Sequence, residues 1–240
     1  MIEVLAETGS TNADLISRLR DGDRVAEGHW LVADRQTAGR GRQGRSWFDG
    51  SGNFMGSTVV HCLAQDPPAA SLALGVALAV YEAVLPFVPN PADLSLKWPN
   101  DLMLGGAKLA GILLEREGDA VVVGVGVNLA AAPDLPDRRT TSISMVAPAP
   151  DRDHFARALA NQFAVELDRW RTFGLEPLTR RWIAAAHPVG TPLRVHPPGE
   201  DAIEGAFAGL TEDGALMLRL PEGRIRTIHA GDVMLAREEG

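Results

Sequence analysis

Four short apolar runs in the middle of the chain constrain its fold more than any other feature. They cover residues 94–98, 101–104, 108–117 and 120–129. Turns containing Gly105-Gly106 and Gly118-Asp119 separate the last three runs. Short runs bounded by such turns are typical of β-strands joined by tight connections. We therefore expect a β-sheet at the centre of the fold.

Helical patterns flank this region on both sides. Leu15, Ile16 and Leu19 recur at helical spacing after Ser10 and Thr11, either of which could cap a short helix. Longer helices are predicted over residues 69–85 and 152–173, and another short helix over residues 175–186. Two more strands are predicted over residues 30–36 and 54–62, with a loop between them. Helices and strands together predict an α+β fold with a mixed sheet.

The character of the sequence changes near Pro188. Beyond it, brief alternating runs such as residues 193–195 and 215–220 are divided by glycine-containing turns, which predicts a small β-barrel. We place the domain boundary so that residues 1–187 form one domain and residues 188–240 a second. The Pro- and Arg-rich residues 131–150 have little periodicity and are expected to cross the surface.

Composition favours the cytoplasm. Cys62 is the single cysteine, so no internal disulfide can form, which fits a reducing compartment. The N-terminus lacks the pattern of a signal peptide, and Gly75 and Glu82 interrupt the longest apolar run, so we expect no membrane span. The formal net charge of −8 argues against general nucleic-acid binding.

The motif GRGRQGR at residues 39–45 is the most informative local pattern. Its glycines let a ligand approach the backbone, and its arginines suit carboxylate and phosphate oxygens. The motif predicts an anion clamp that is mobile when empty and ordered when anions neutralise it. A solvated basic loop with weak RNA affinity is the alternative. The spacing of a Walker A loop is absent.

Two further clusters carry polar groups beside predicted strands. KWPND at residues 97–101 predicts a tight turn that directs Asp101, while Lys108 begins an apolar strand and could meet a phosphate or carboxylate. Here the alternative is a hairpin in which Lys97 pairs with Asp101. Glycines alternate in GVGVN at residues 124–128, so a flat ring could rest on that strand and Asn128 could contact an adenine edge. A bulged core strand is the alternative there.

Taken together, the motifs closely resemble those of biotin protein ligases. They occur in the family order as STN at 10–12, QTAGRGRQGRSW at 36–47, KWPND at 97–101, KLAGIL at 108–113 and GVN at 126–128. The resemblance implies a class II synthetase-like catalytic domain, a mixed sheet with flanking helices, and a small C-terminal SH3-like β-barrel. Because the first motif begins at Ser10, we expect the short form without an N-terminal helix-turn-helix.

The resemblance also implies which residues bind each substrate. Biotin would be bound by Ser10, Thr11, Asn12, Gln36, Gly39, Arg40, Arg42, Lys108 and Gly111. ATP would be bound by Arg42, Arg45, Trp47, Asn100, Lys108 and Asn128, and Mg²⁺ would accompany its phosphates. The protein partner would be a biotin carboxyl carrier protein or domain. A homodimer is left open.

The implied reaction joins a carboxylate to an amine through biotinyl-5′-AMP, so two mutually repelling anions must be held together. The resemblance assigns catalysis to Arg42 and Lys108. Asp101 would accept a proton from the carrier lysine or orient it, and a turn-capping role is its alternative. A lipoate or octanoyl transferase and a non-enzymatic RNA- or DNA-binding module are the competing functions.

Overall fold

The computed structural model describes residues 1–235. Within them the strands are β1 (Ile2–Leu5), β2 (Trp30–Ala33), β3 (Phe54–His61), β4 (Leu94–Lys97), β5 (Asp101–Leu104), β6 (Ala107–Glu117), β7 (Ala120–Val127), β8 (Pro192–His196), β9 (Ile203–Leu210), β10 (Leu216–Arg219), β11 (Ile225–Ile228) and β12 (Asp232–Leu235). The α-helices are α1 (Thr11–Arg20), α2 (Leu72–Val84), α3 (Arg152–Phe173) and α4 (Leu175–Ala185).

A seven-stranded mixed sheet forms the larger part of the molecule, with strand order β1-β2-β3-β7-β6-β5-β4. The β1–β2 pair is parallel, and the other neighbours pair antiparallel. Strands β3 and β7 lie at the centre and are buried along most of their length. The predicted central sheet is confirmed, and every tight turn expected between residues 94 and 129 lies between two strands.

Helices cover the two faces of this sheet unequally. On one face α1 packs through Leu15, which shares a small core with Val59 of β3 and Val122 of β7. On the other face α2, α3 and α4 pack against each other over the large core. Because α1 is short, it leaves part of its own face of the sheet uncovered, and the functional site lies there.

Helix α2 is an internal helix. The segment Ala69–Phe87 is the one helical segment among residues 1–235 that is long and apolar enough to cross a membrane, and 61% of its apolar window is buried inside the protein. Leu78 and Val80 are almost fully inaccessible. The apolar composition of α2 is therefore explained by its contacts with α3 and α4.

The C-terminal part is a five-stranded antiparallel sheet with strand order β11-β10-β9-β8-β12, as the predicted small β-domain requires. It packs against the larger part without a gap in the core: Phe207 meets Trp182 edge-on, and Trp98 Nε1 donates to Gly214 O over 3.1 Å. Residues 236–240 of the predicted C-terminal domain lie outside the described residues.

Two segments differ from their predictions. The short edge strand β1 was not predicted, because its four residues include the charged Glu3 and give too little alternation. Residues 131–150 were expected to cross the surface, but Pro133, Leu135 and Arg138 line the functional cavity. Low periodicity marked this segment as irregular without showing which side of it faces a ligand.

Candidate active site

A cavity of about 930 Å³ opens on the face of the large sheet that α1 leaves uncovered. The N-terminus of α1 borders this cavity, and the C-terminal sheet contributes His196 and Asp232 to its lining. Thirteen of the predicted substrate-binding and catalytic residues line it: Ser10, Thr11, Asn12, Gln36, Arg40, Arg42, Arg45, Trp47, Asn100, Asp101, Lys108, Gly111 and Asn128. Sequence motifs that lie far apart thus converge on one cavity.

Gly39 does not line the cavity but supports its wall. A Cβ atom on Gly39 would lie 3.2 Å from Gln36 Nε2 and 3.2 Å from Trp47 O. Any larger residue would therefore push against a predicted binding residue on one side and the backbone of the clamp on the other.

Buried hydroxyl and amide groups form the end of the cavity beside α1. Ser10 is the N-cap residue of α1, but its hydroxyl makes no capping hydrogen bond. Gln36 Oε1 accepts from Thr11 N over 2.8 Å and from Thr11 Oγ1 over 3.1 Å. This end offers fixed donors and acceptors within a mostly apolar cavity, as recognition of a small polar ring requires.

The GRGRQGR clamp forms a small hairpin. Arg40 bridges Ser46, Gly41 N donates to Arg45 O over 2.7 Å, and the 3₁₀ turn Arg42–Gly44 forms the tip. Gln43 within this turn has a φ of 57°, in the left-handed region. The hairpin directs Arg42 and Arg45 towards the cavity, so the predicted loop has more local order than its composition indicated.

Each of these two arginines has a partner from another part of the chain. Arg42 donates to Asn100 Oδ1 over 3.1 Å, and Asn100 Nδ2 donates in turn to Ile112 O over 2.6 Å. Arg45 forms an ion pair with Asp232 at the start of β12. The clamp is thereby connected to the KWPND turn on one side and to the C-terminal sheet on the other.

Asp101 lies between two lysines in the wall of the cavity. Its carboxylate is 2.5 Å from Lys108 Nζ and 3.4 Å from Lys97 Nζ. Burial raises the pKa of Asp101, but the positive charges of Lys108 and Lys97 outweigh burial and lower that pKa below its ordinary value. Asp101 is therefore a carboxylate held between the charges of Lys108 and Lys97.

Trp47 occupies the glycine surface of β6 and β7. A Cβ atom on Gly126 would lie 2.2 Å from Trp47 Cε2, and one on Gly111 would lie 3.0 Å from Trp47 Cζ3. Gly111 and Gly126 are paired across the two strands. The alternating glycines do accommodate a flat ring, as their spacing predicted, and that ring is the indole of Trp47.

Asn128 follows β7 directly and has one side-chain atom available to a ligand. Its Nδ2 donates to Thr141 O over 3.0 Å, whereas its Oδ1 is buried and has no hydrogen-bond partner among the described residues. A buried carbonyl oxygen without a partner is uncommon and suggests that a donor group is supplied by a ligand. The amino group of an adenine is such a donor.

Sequence reasoning missed several groups of the cavity wall. Ser57 is 1% exposed and bonds Thr11 and Asn12; its signal was a polar residue inside the apolar strand β3. Arg138 and Asp137 form an ion pair in the irregular segment, which offers no periodic signal. His196 and Asp232 reach the cavity from the C-terminal sheet, a contact that only the tertiary fold creates.

The assembled groups define a site for two anions held side by side. Arg42, Lys108 and Arg45 supply positive charge to its wall, the part beside α1 suits a polar ring, and Asn128 suits a nucleotide base. A ligase that activates a carboxylic acid with a nucleoside triphosphate needs this arrangement.

Comparison with known proteins agrees with this class. The Biotin/lipoate A/B protein ligase family matches residues 8–128, and the Biotin protein ligase C terminal domain matches residues 194–235. The Biotin--[acetyl-CoA-carboxylase] ligase of Paracoccus denitrificans is 39% identical over 96% of this chain and 98% of its own length. The Bifunctional ligase/repressor BirA of Escherichia coli is 30% identical over 99% of this chain and 75% of its own length.

The fold comparison gives the same result. The biotin protein ligase from Aquifex aeolicus in complex with biotin and ATP superimposes with a TM-score of 0.86 at 27% identity, covering 98% of this chain and 99% of that one. The chain therefore belongs to the Biotin/lipoate A/B protein ligase family, and within it to the biotin protein ligases.

Proposed function

We propose that this chain carries out both half-reactions of a biotin protein ligase in the cavity described above. It forms biotinyl-5′-AMP from biotin and ATP, and then transfers the biotinyl group to a lysine of a biotin carboxyl carrier protein with release of AMP. The observation that carries the assignment of roles is the order of contacts along β7: Asn12 meets Gly124, Trp47 meets Gly126, and Asn128 follows the strand. Lys108 lies beside Gly111, the partner of Gly126, and Arg42 lines the same cavity.

The hydroxyl-lined end binds the ureido ring of biotin. Ser10, Thr11, Asn12 and Gln36 supply fixed polar groups there, and Gly39, Gly111 and the Arg40 backbone border the chain that leads to the carboxylate. A ureido ring has two N–H donors and one carbonyl acceptor, so it needs partners of both kinds. The dithiolane of lipoate and the alkyl chain of octanoate offer no such groups, which favours biotin over either.

The first half-reaction joins the two anions. A carboxylate oxygen of biotin forms a bond to the α-phosphorus of ATP, and the bond from that phosphorus to the pyrophosphate oxygen breaks. Arg42 and Lys108 reduce the repulsion between the carboxylate and the phosphate and stabilise the charge that accumulates as the new bond forms. Arg45 binds the triphosphate, while Trp47, Asn100 and Asn128 shape the nucleotide side.

In the second half-reaction the neutral amine of the carrier lysine attacks the acyl carbon, and AMP leaves with its phosphate. Asp101 was the candidate to remove the ammonium proton. Its lowered pKa makes it a weak proton acceptor, because a base is most effective when its pKa is near the working pH. We therefore assign Asp101 chiefly to the positioning of Lys108.

Mg²⁺ is proposed to enter with ATP. Three carboxylates line the cavity, and each forms an ion pair: Asp101 with Lys108, Asp137 with Arg138, and Asp232 with Arg45. Among residues 1–235 no group of three His, Cys, Asp or Glu side chains could hold a metal ion. This suits an ion that keeps water and phosphate oxygens as its ligands, as Mg²⁺ commonly does.

We also propose a domain boundary, a homodimer and a cytoplasmic location. The domain boundary at 187/188 is supported by its position between α4 and β8, where the chain passes from one sheet to the other. A homodimer is supported by β1, which lies at an edge of the large sheet. Cytoplasmic location is supported by the single, partly buried Cys62.

The test is pyrophosphate release that requires both biotin and ATP, followed by transfer to a purified biotin carboxyl carrier domain. We expect release with biotin, none with lipoate or octanoate, and an amide on one carrier lysine by mass spectrometry. Release that occurs with lipoate or octanoate but not with biotin would refute the proposal in favour of the alternative acyl chemistry.

A further inference from the structure

A chain of side-chain hydrogen bonds connects the hydroxyl-lined end of the cavity to a carboxylate behind it. Thr11 Oγ1 lies 2.7 Å from Ser57 Oγ, and Ser57 Oγ donates to Asn12 Oδ1 over 2.6 Å. Asn12 Nδ2 then donates to Glu115 Oε2 over 2.8 Å. Thr11 also bonds Gln36, so five residues from four different segments are linked in series.

Glu115 is not part of the cavity wall, whereas the other four residues are. It lies on β6 opposite Val122, on the sheet face that α1 covers. Asn12 reaches it across Gly124, where an added Cβ would lie 2.4 Å from Asn12 Oδ1. The sheet therefore provides a path, open only because residue 124 is glycine, from the cavity to this carboxylate.

A carboxylate fixes the direction of every bond in such a chain. It accepts hydrogen bonds and cannot donate, so the atom of Asn12 that faces Glu115 must be the amide nitrogen. Asn12 then presents its oxygen to Ser57, and Ser57 must use its one hydrogen on that oxygen. The bond between Ser57 and Thr11 can then only be a donation from Thr11, whose single hydrogen is shared between Ser57 Oγ at 2.7 Å and Gln36 Oε1 at 3.1 Å.

The fixed direction determines what Thr11 offers to a ligand. In this arrangement the Thr11 hydroxyl only donates to the protein, so both of its oxygen lone pairs remain for donors in the cavity. If the Asn12 amide were reversed, the Ser57 hydrogen would turn to Thr11 and occupy one of those lone pairs. A ureido ring brings N–H donors and would lose an acceptor.

We infer that Glu115 is a positioning residue for the acid substrate: acting through Asn12 and Ser57, it holds Thr11 as an acceptor for a ureido N–H. The inference rests on the proposed binding of the ureido ring at Thr11. It identifies a residue outside the cavity as a determinant of specificity for cyclic ureas.

The test compares variants of the full chain by biotin-dependent pyrophosphate release at saturating ATP. Glu115→Gln keeps the shape but can donate, so it permits the reversed Asn12 amide. We expect its KM for biotin to rise about fivefold to tenfold, with kcat within about twofold, as for the loss of one hydrogen bond in binding. Desthiobiotin, which keeps the ureido ring, should show the same rise.

A rescue variant separates polarity from general structural damage. In Asn12→Asp combined with Glu115→Gln, residue 12 can only accept and residue 115 can donate to it, so Ser57 must again donate to residue 12. We expect this double variant to return the KM for biotin to within about threefold of the unmodified protein. Glu117→Gln is the matched control, because Glu117 lies on the same strand and bonds Arg20 instead.

Calorimetric binding of biotin without ATP gives a second readout, and thermal unfolding confirms that each variant folds. An unchanged KM and an unchanged affinity in Glu115→Gln would overturn the inference, as would a double variant that folds but binds biotin no better than Glu115→Gln. If the double variant does not fold, Glu115→Ala decides the matter, since it also frees the amide and must raise the KM. Absence of biotin-dependent release by the unmodified protein would refute the proposed function instead.

Discussion

Lys108 Nζ lies 2.5 Å from Asp101 Oδ1, in a position where the same lysine also faces the ring of Trp47 at 5.9 Å. The lysine is thereby fixed from two sides, by a buried carboxylate and by an indole face. Lys97 approaches the other carboxylate oxygen, so the pair of lysines and Asp101 form one charge cluster.

Asp101→Asn should break this cluster, because it removes the negative charge that faces the ammonium groups of Lys108 and Lys97. We expect a loss of about 3 kcal/mol of folding stability and a fall of at least about tenfold in the rate of adenylate formation. Transfer from supplied biotinyl-5′-AMP to the carrier should change by less than about threefold, because Asp101 is a weak base. Denaturant unfolding and separate assays of the two half-reactions measure these effects. A variant that makes adenylate normally but fails in transfer would restore the general-base role.

The central sheet and the main helices could be predicted because their signals are local. Alternation and glycine turns mark the strands from residue 94 to residue 129, and the repeat from Phe155 to Trp170 marks α3, whose predicted bounds agree with the structure. Most candidate site residues could be found because they lie in motifs, and the fold brings every one of these residues except Gly39 to the cavity wall.

What could not be predicted depends on contacts between distant segments. Nothing near Arg45 indicates Asp232, which lies on another sheet, and nothing near Asn12 indicates Glu115. The glycines of β7 predicted a surface for a flat ring but not that Trp47 rests on it. Spacing along the chain reports what a segment can accommodate, whereas the partner is set by the tertiary fold.

Gly126→Ala should displace Trp47, because the new methyl group would lie 2.2 Å from Trp47 Cε2 and the rigid indole ring can only move away as a whole. We expect adenylate formation to fall by about tenfold or more, since Lys108 would lose its aromatic neighbour, with overpacking costing about 1–3 kcal/mol of stability. Steady-state kinetics measures the rate of adenylate formation, and unfolding followed by tryptophan fluorescence measures the loss of stability.

Gly75→Ala is the matched control for that substitution. Gly75 lies inside α2, and its nearest neighbour would be 3.9 Å from the new methyl group. It should leave activity unchanged and stabilise the fold by about 0.5–1 kcal/mol, as expected for alanine in place of glycine within a helix. Equal losses of activity in both variants would contradict the role of Trp47.

Arg42→Gly should keep the fold, because Arg42 lies at the tip of the clamp and its side chain hydrogen-bonds Asn100 alone within residues 1–235. Removing it weakens the hold on the adenylate phosphate, so biotinyl-5′-AMP should escape and label lysines of bystander proteins. Mass spectrometry of added albumin detects this labelling. Gln43→Gly is the control, since Gln43 already has a positive φ of 57° and the arginines are kept. Tight retention of the intermediate in Arg42→Gly would refute the clamp.

Asp232→Asn should strengthen ATP binding. Arg45 is paired with Asp232, so a triphosphate must compete with that carboxylate for the guanidinium. We expect the KM for ATP to fall by about twofold to fivefold in Asp232→Asn and to rise about tenfold in Arg45→Ala. A higher KM for ATP in Asp232→Asn would instead indicate that Asp232 holds Arg45 in its binding position.

His187 should make the junction between the two sheets sensitive to acid. Burial lowers the pKa of His187 from its ordinary 6.5 to about 4, and its ring lies edge-on to Phe207 at 4.5 Å. The unfolded chain therefore binds the extra proton between pH 6.5 and pH 4, so stability is complete above this window and is lost as the pH falls through it. The loss of folding stability should approach about 3 kcal/mol at most.

The variant His187→Phe keeps the aromatic contact but cannot titrate. Denaturant unfolding at about pH 7, 5.5 and 4.5 should therefore show a correspondingly smaller loss of stability in this variant. Parallel losses in the two proteins would assign the acid sensitivity to other groups.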